Sequence, residues 1–380
     1  MRILCVGGGS GGHITPIVAI ASGIRERKPR ADIRVWCDRS FAPQARQLLG
    51  AGTRVDVVVS GKYRRYANIS FLSHIRYHLI KTHLANFFDL FKIGFGLLQS
   101  LCKLIVWRPN VVFCKGGFVC LPVGIAAHAL RIPLVIHDSD IIPGLTNRVL
   151  ARYANYIGTG APLENYPNYP PTRTRFVGIP VRQEFRKLST NEKLAVKEKH
   201  GFGGHKKLVL VTGGGLGSSD LNAAASEQAP EIIRHGAQIL LITGENKDIT
   251  APEIDGLEVK PFLADDYPEV TAAADIVVTR AGATAMAELA SIGAVAIIVP
   301  NPFLAGDHQT KNASAWSKAD AAIVIKQKDL RARPELLSTE VVRLLEDEEL
   351  RSRLSKNLAK FARPDALDQM VEMILEAVKS

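Results

Sequence analysis

Short apolar runs alternate with amphipathic stretches along most of the chain. In the first half the runs fall near 2–6, 33–37, 55–59, 111–114, 133–137 and 156–158. A second series falls near 207–212, 238–243, 257–260, 275–279 and 295–299. Strands apolar along their whole length, separated by helices, predict parallel sheets covered on both faces. A chain of 380 residues has room for two such domains, each with its own core. The expected division is a first domain over 1–162, a connection over 163–180 and a second domain over 181–363. Pro162, Pro167, Pro170, Pro171 and Pro180 mark that connection. From 364 to 380, Leu367, Met370, Val371, Ile374, Leu375 and Val378 share one helical face. They predict a final helix that packs back on the first domain.

Residues 71–106 break the pattern. Phe87, Phe88, Phe91, Phe95 and many leucines crowd a stretch punctuated by Arg76, Lys81, Lys92 and Lys103. Its longest uncharged run, Ile93 to Cys102, falls well short of the roughly 20 residues that a spanning helix needs. Two readings stand: a basic, apolar helix lying on an anionic bilayer, or a core helix with a snorkelling basic rim. His74 and His78, one helical turn apart, read as part of the basic face, since no carboxylate or cysteine accompanies them.

Charge sharpens the contrast between the halves. Of 48 Lys+Arg and 37 Asp+Glu, residues 1–160 hold 21 and 7, leaving 27 and 30 for the remainder. The first half therefore suits an anionic partner: nucleic acid, membrane or a phosphorylated substrate. Basic residues interleaved with aliphatics, not with stacking aromatics, speak against nucleic acid. The five cysteines, Cys5, Cys37, Cys102, Cys114 and Cys120, contain no CxxC pair and read as reduced thiols of a cytoplasmic protein.

The chemistry sits where strands run into glycines. Gly7-Gly-Gly-Ser-Gly-Gly-His13 follows the first apolar run, and Gly213-Gly-Gly-Leu-Gly-Ser218 follows the seventh. Glycine lets backbone N–H groups approach a ligand, and the helix that follows favours negative charge at its N-terminus. His13 opens that helix, where the ring stays neutral and can take a proton or contact a phosphate. Lys115-Gly116-Gly117 makes a further glycine turn in the first half. In the second half, Arg280 to Thr284 forms a turn of small residues with room for a diphosphate, and Glu288 lies one helical turn on, placed for ribose hydroxyls. The segment Asp307-His-Gln-Thr-Lys-Asn312 presents amides and an imidazole suited to sugar hydroxyls.

In order and spacing, the loop Gly7–His13, the turn Gly178-Ile-Pro-Val-Arg182, the loop Gly213–Ser218, Arg280–Glu288 and His308–Ala313 resemble the family 28 glycosyltransferases. The likeness is strongest to the branch that adds GlcNAc to a lipid-linked muramoyl-peptide in peptidoglycan synthesis. It covers nearly the whole chain. It implies an α/β fold of the GT-B type: two doubly wound, Rossmann-like parallel-sheet domains facing a central cleft. It implies UDP-GlcNAc as donor and a lipid-linked muramoyl-peptide diphosphate as acceptor. No cofactor or metal is implied, and the enzyme would be peripheral on the inner face of the cell membrane. Donor contacts carried over by position are Ser10, Gly11, Gly12, Asp140, Arg182, Gly215, Ser218, Leu263, Arg280, Ala283, Thr284, Ala285, Met286, Ala287, Glu288 and Gln309. Acceptor contacts are Gly9, His13, Lys115, Gly116 and Gly117, with His13 as base or phosphate contact.

Three places depart from the family's pattern. His137-Asp-Ser-Asp140 replaces His-Glu-Gln-Asn, Gly215 replaces a serine, and Ala281-Gly-Ala-Thr284 replaces Ser-Gly-Ala-Leu. Ser218 or Ser219 would have to supply the phosphate hydroxyl missing at Gly215. The competing readings are a related transferase with another lipid or small-molecule acceptor, and a UDP-GlcNAc 2-epimerase.

Overall fold

The computed structural model describes residues 1–9, 11–62, 79–245, 247 and 249–379. Ser10, Arg64, Arg65, His74, Arg76 and His78 lie outside the described residues, as does the start of the apolar segment. The chain divides into two compact units. The first comprises Met1–Arg182, Phe303–His308 and Pro364–Ser380; the second comprises Gln183–Pro302 and Gln309–Arg363.

In the first unit the chain runs β1 (Arg2–Gly7), α1 (Gly11–Arg27), β2 (Asp32–Cys37), α2 (Ala42–Leu49), β3 (Arg54–Val57) and α3 (Leu79–Trp107). It continues through β4 (Val111–Gly116), α4 (Cys120–Ala129), β5 (Leu134–Asp138), α5 (Leu145–Leu150), β6 (Tyr156–Thr159) and β7 (Thr174–Phe176). The sheet order is β3-β2-β1-β4-β5-β6-β7, parallel throughout. Ile3, Cys5, Val111 and Phe113 pack with α1, while Leu4, Val6, Val112 and Cys114 pack with α4. Burial on both faces explains why these strands show no polar alternation.

In the second unit the chain runs α6 (Thr190–Lys199), β8 (Lys207–Thr212), α7 (Ser219–Arg234), β9 (Ala237–Ile242), β10 (Leu257–Lys260), α8 (Tyr267–Ala273), β11 (Ile276–Thr279), α9 (Ala283–Ile292) and β12 (Ala296–Ile298). After them come α10 (His308–Lys318), β13 (Ile323–Val324), α11 (Gln327–Ala332), α12 (Glu335–Glu346) and α13 (Glu348–Ala359). Its sheet order is β10-β9-β8-β11-β12-β13, again parallel. In both sheets the strand order reverses beside the first strand, between β1 and β4 and between β8 and β11. Open α/β sheets bind ligands at such reversals, beyond the carboxyl ends of the strands.

The last helix, α14 (Ala366–Ala377), belongs to the first unit. Leu367, Met370, Val371, Met373 and Ile374 join the core that covers β1 and β4. Gly23 of α1 admits it closely: a methyl group there would stand 3.2 Å from Val371 Cγ2. The Arg27–Asp368 pair at 2.6 Å closes its edge.

The proline-rich stretch read as a connection is built into the first unit. It carries β7, the seventh strand, and Tyr169, whose hydroxyl donates to Asp138. Edge strands of three residues (β7) and two residues (β13) are too short to leave an apolar pattern.

The helix α3 is fastened along one side. Methyl groups on Gly96 and Gly61 would strike the backbone at Val59 and Asp89, so the two segments touch at their backbones. Val59 N–H donates to Gln99 and Lys103 to Val57 O, both at 2.9 Å. Ser100, Leu104 and Trp107 of this helix are buried. Over Ala85–Trp107 it is long and apolar enough by composition to cross a bilayer, with a mean hydropathy of 1.5. Its docked face makes it a helix of the domain. The opposite face leaves Phe87, Phe88, Phe91, Phe95, Leu98 and Ile105 more than half exposed.

Candidate functional site

At the β1/β4 reversal two glycine turns meet. A methyl group on Gly117 would stand 2.2 Å from Gly8 O and 3.2 Å from His13 Cδ2. One on Gly116 would stand 3.2 Å from His13 Cε1. Both residues have positive φ, 119° and 87°, a conformation glycine adopts without strain. The His13 ring thus lies against a turn that only glycines can form. Gly11 and Gly12 lie at the N-terminus of α1, where the helix dipole favours an anion. The Gly9 N–H is engaged within the loop: it donates to Asp38 Oδ1 at 2.7 Å. Asp38, at the end of β2, carried no sequence signal; it braces the loop from behind.

Around this turn lie the buried polar groups of β4 and β5. Lys115 is 1 % exposed, and its ammonium donates to Ser139 Oγ. Burial lowers its pKa to about 8, against the pull of Asp138 and Asp140. Burial likewise lowers His13 to about 3, helped by the charge of Lys115; the ring is neutral at physiological pH. Burial raises Asp138 to about 6 although Tyr169 (2.8 Å) and Gly144 N–H (3.1 Å) donate to its Oδ2. His137 Nε2 pairs with Gly178 O at 2.8 Å, and burial holds that ring neutral too. This tie fixes the Gly178–Arg182 turn, at whose end Arg182 is buried. The Asp140 carbonyl accepts from Tyr166 at 2.7 Å, so Asp140 belongs to the first-unit group with Lys115.

At the β8/β11 reversal the loop Gly213–Ser218 lies against the turn after β9: a methyl group on Gly217 would stand 2.0 Å from Thr243 O. Gly244 N–H in turn donates to Pro261 O at 3.0 Å, which brings the segment carrying Leu263 to the same end of the sheet. Gly215 is exposed there. Gly282 caps α9 with extended backbone and open space around it. Ala283, Ala285 and Ala287 are half-exposed along the helix start, while Thr284, Met286 and Glu288 are buried. The first-turn N–H groups of α9 are thereby presented over small side chains.

Three donor assignments change in kind. Arg280 does not reach outward: Nε donates to Ser218 Oγ at 3.1 Å, and Nη1 to Val299 O at 3.0 Å and Gln327 at 2.9 Å. It holds the loop instead of a ligand. Ser218 accepts from Arg280 and from Leu221 N–H as the N-cap of α7, and Ser219 lies 3.2 Å from Lys247 Nζ. Both hydroxyls act here as acceptors toward the loop and its flank, and each keeps its O–H as a donor. Gln309 also works inward: its Oε1 accepts from Asn301 N–H at 2.9 Å. Asn312 donates to Ala281 O at 3.1 Å.

Among the described residues, His200, Asp266 and Glu269 approach one another closely enough for a metal. Lys199 pairs with both carboxylates, and the cluster lies where α6 ends and α8 begins.

The fold and its two glycine-lined reversals define an enzyme class that binds nucleotide-sugars with paired Rossmann-like domains. Residues 3–159 match the glycosyltransferase family 28 N-terminal domain, and 208–370 the family 28 C-terminal domain. The chain belongs to glycosyltransferase family 28. It is 32% identical over 392 residues to a protein of Alkaliphilus metalliredigens, with 100% of each chain covered. That relative is named UDP-N-acetylglucosamine–N-acetylmuramyl-(pentapeptide) pyrophosphoryl-undecaprenol N-acetylglucosamine transferase. A Bacillus subtilis protein of the same name is 30% identical, again with both chains covered in full. Among solved structures, Acinetobacter baumannii MurG superposes with a TM-score of 0.67 at 21% identity, covering 99% of each chain. A Neisseria meningitidis UDP-GlcNAc 2-epimerase superposes with 0.66 at 12%, covering 99% of this chain and 100% of the other. The fold is therefore shared by transferases and epimerases; the sequence relatives separate them.

Proposed function

We propose that this protein moves GlcNAc from UDP-GlcNAc to the C4 hydroxyl of the muramoyl sugar in a lipid-linked pyrophosphoryl acceptor, with inversion. The observation that carries the reading is the full-length likeness to relatives bearing that name. The residues supply the chemistry. The acceptor hydroxyl attacks the anomeric carbon, the bond from that carbon to the UDP phosphate breaks, and the hydroxyl proton passes to neutral His13. The N-terminus of α9 faces the donor diphosphate, Glu288 takes the ribose, Leu263 lies at the uracil, and the Nε2 end of Gln309, whose Oε1 is held by Asn301, meets the sugar. Preorganised N–H groups stabilise the charge that develops on UDP, so no step is routed through a metal. Lys115, Gly116 and Gly117 take the acceptor diphosphate, and the apolar face of α3 rests on an anionic membrane at its inner surface.

The test is an acceptor panel with purified protein. Transfer to a short-chain muramoyl-pentapeptide pyrophosphoryl lipid, and not to diacylglycerol, is expected. Clean transfer to diacylglycerol with none to the muramoyl lipid overturns the proposal.

A further inference from the structure

Among the described residues of the first unit, two buried polar side-chain atoms without a hydrogen-bond partner belong to residues that border the same glycine. They are His13 Nδ1 and Asn147 Oδ1. A methyl group on Gly116 would stand 3.3 Å from His13 Nδ1 and 3.5 Å from Asn147 Nδ2. The imidazole and the amide thus both border Gly116.

The amide's orientation is settled by its neighbour. Asn147 is 4 % exposed, and its Nδ2 donates to His137 O at 3.0 Å. A carbonyl oxygen only accepts, so an exchange of Oδ1 and Nδ2 would set oxygen against oxygen. Oδ1 is therefore an acceptor, buried and in want of a donor. A neutral imidazole carries one N–H, and which nitrogen holds it depends on what the other groups accept. Leaving a buried acceptor unmet is expensive, and a water with two or more polar partners is the usual remedy.

We propose that Asn147 is a positioning residue for the transfer: one buried water beside Gly116 links His13 Nδ1–H to Asn147 Oδ1, leaving Nε2 bare to accept the hydroxyl proton. This rests on the reading of His13 as the base. Without the link the ring has no reason to keep its proton on Nδ1, and the fraction of molecules with a competent base falls.

The test is the ¹⁵N spectrum of histidine-labelled protein, with His13 assigned by its loss in His13→Ala. The wild type should show the Nδ1–H tautomer for His13. Asn147→Ala should shift it to Nε2–H, with kcat falling about tenfold or more and KM for UDP-GlcNAc unchanged. An Nε2–H tautomer in the wild type overturns the proposal outright, which keeps the test decisive even if Asn147→Ala fails to fold. So does an unaltered tautomer in a folded Asn147→Ala. His13→Ala separates the two claims. If it is inactive while wild-type His13 is Nε2–H, only the role of Asn147 fails; if it stays active, the assignment of the base fails and the role of Asn147 with it.

Discussion

Replacing Lys115 by methionine should make the protein more stable and less active. The ammonium is fully buried, and its pKa falls from 10.5 to about 8. At about 1.4 kcal/mol per pKa unit, that fall costs the folded state about 3 kcal/mol at neutral pH. Attraction by Asp138 and Asp140 is already included in the fall. Methionine fills the same space without the charge; the Ser139 hydroxyl loses its donor, at about 1 kcal/mol. The net gain is about 2 kcal/mol at pH 7, or about 4–8 °C in the first-unit melting transition. The sign with pH follows from proton linkage. Between about 8 and 10.5 the unfolded chain holds this proton and the folded one does not, so wild-type stability rises with pH. The gap between wild type and variant should therefore close by pH 10.5. In the transfer assay, kcat/KM for the acceptor should fall about 10- to 100-fold, the worth of a hydrogen bond from a charged group to a phosphate. KM for UDP-GlcNAc should not change. Thermal melts at pH 7 and pH 10, beside acceptor kinetics, decide it. A variant less stable at pH 7, a gap that does not change with pH, or acceptor kinetics within threefold of wild type would refute the reasoning.

His13→Ala should lower kcat about 100-fold or more while calorimetry finds UDP-GlcNAc binding kept. Glu288→Ala should weaken UDP binding about tenfold or more; an unchanged Kd removes Glu288 from the ribose. Arg280→Met should destabilise the second unit by about 2–4 kcal/mol in urea unfolding, because Val299 O and Gln327 Oε1 lose their buried donor. Phe91→Glu with Phe95→Glu should abolish co-sedimentation with anionic vesicles and spare turnover on a water-soluble acceptor; retained vesicle binding would free α3 from that role.

The apolar runs made the layers of both sheets legible, since strands buried on both faces read as uninterrupted Val, Ile and Leu. The short edge strands at 174–176 and 323–324 escaped because two or three residues carry no period. The glycine turns revealed where anions meet the backbone, for glycine marks positive φ and close approach in the sequence itself. What the sequence hid was the direction each polar side chain takes. Arg280 and Ser218 look like phosphate ligands in one dimension, yet in three they satisfy one another and the ends of β12 and α7. Asp38, Asn147 and Tyr169 lie far from the glycines along the chain and join them only through the parallel crossovers, so no local pattern announced them.

The proposed transfer is a single displacement at the donor's anomeric carbon, with the proton taken by His13. The most direct measurement is the linkage of the disaccharide formed from UDP-GlcNAc and a short-chain muramoyl-pentapeptide pyrophosphoryl lipid, read by proton NMR of the isolated product. A β-linkage to the muramoyl C4 oxygen, with one UDP released per linkage, is the predicted result. An α-linked product, or a donor epimerised at C2 with no glycoside formed, would contradict it.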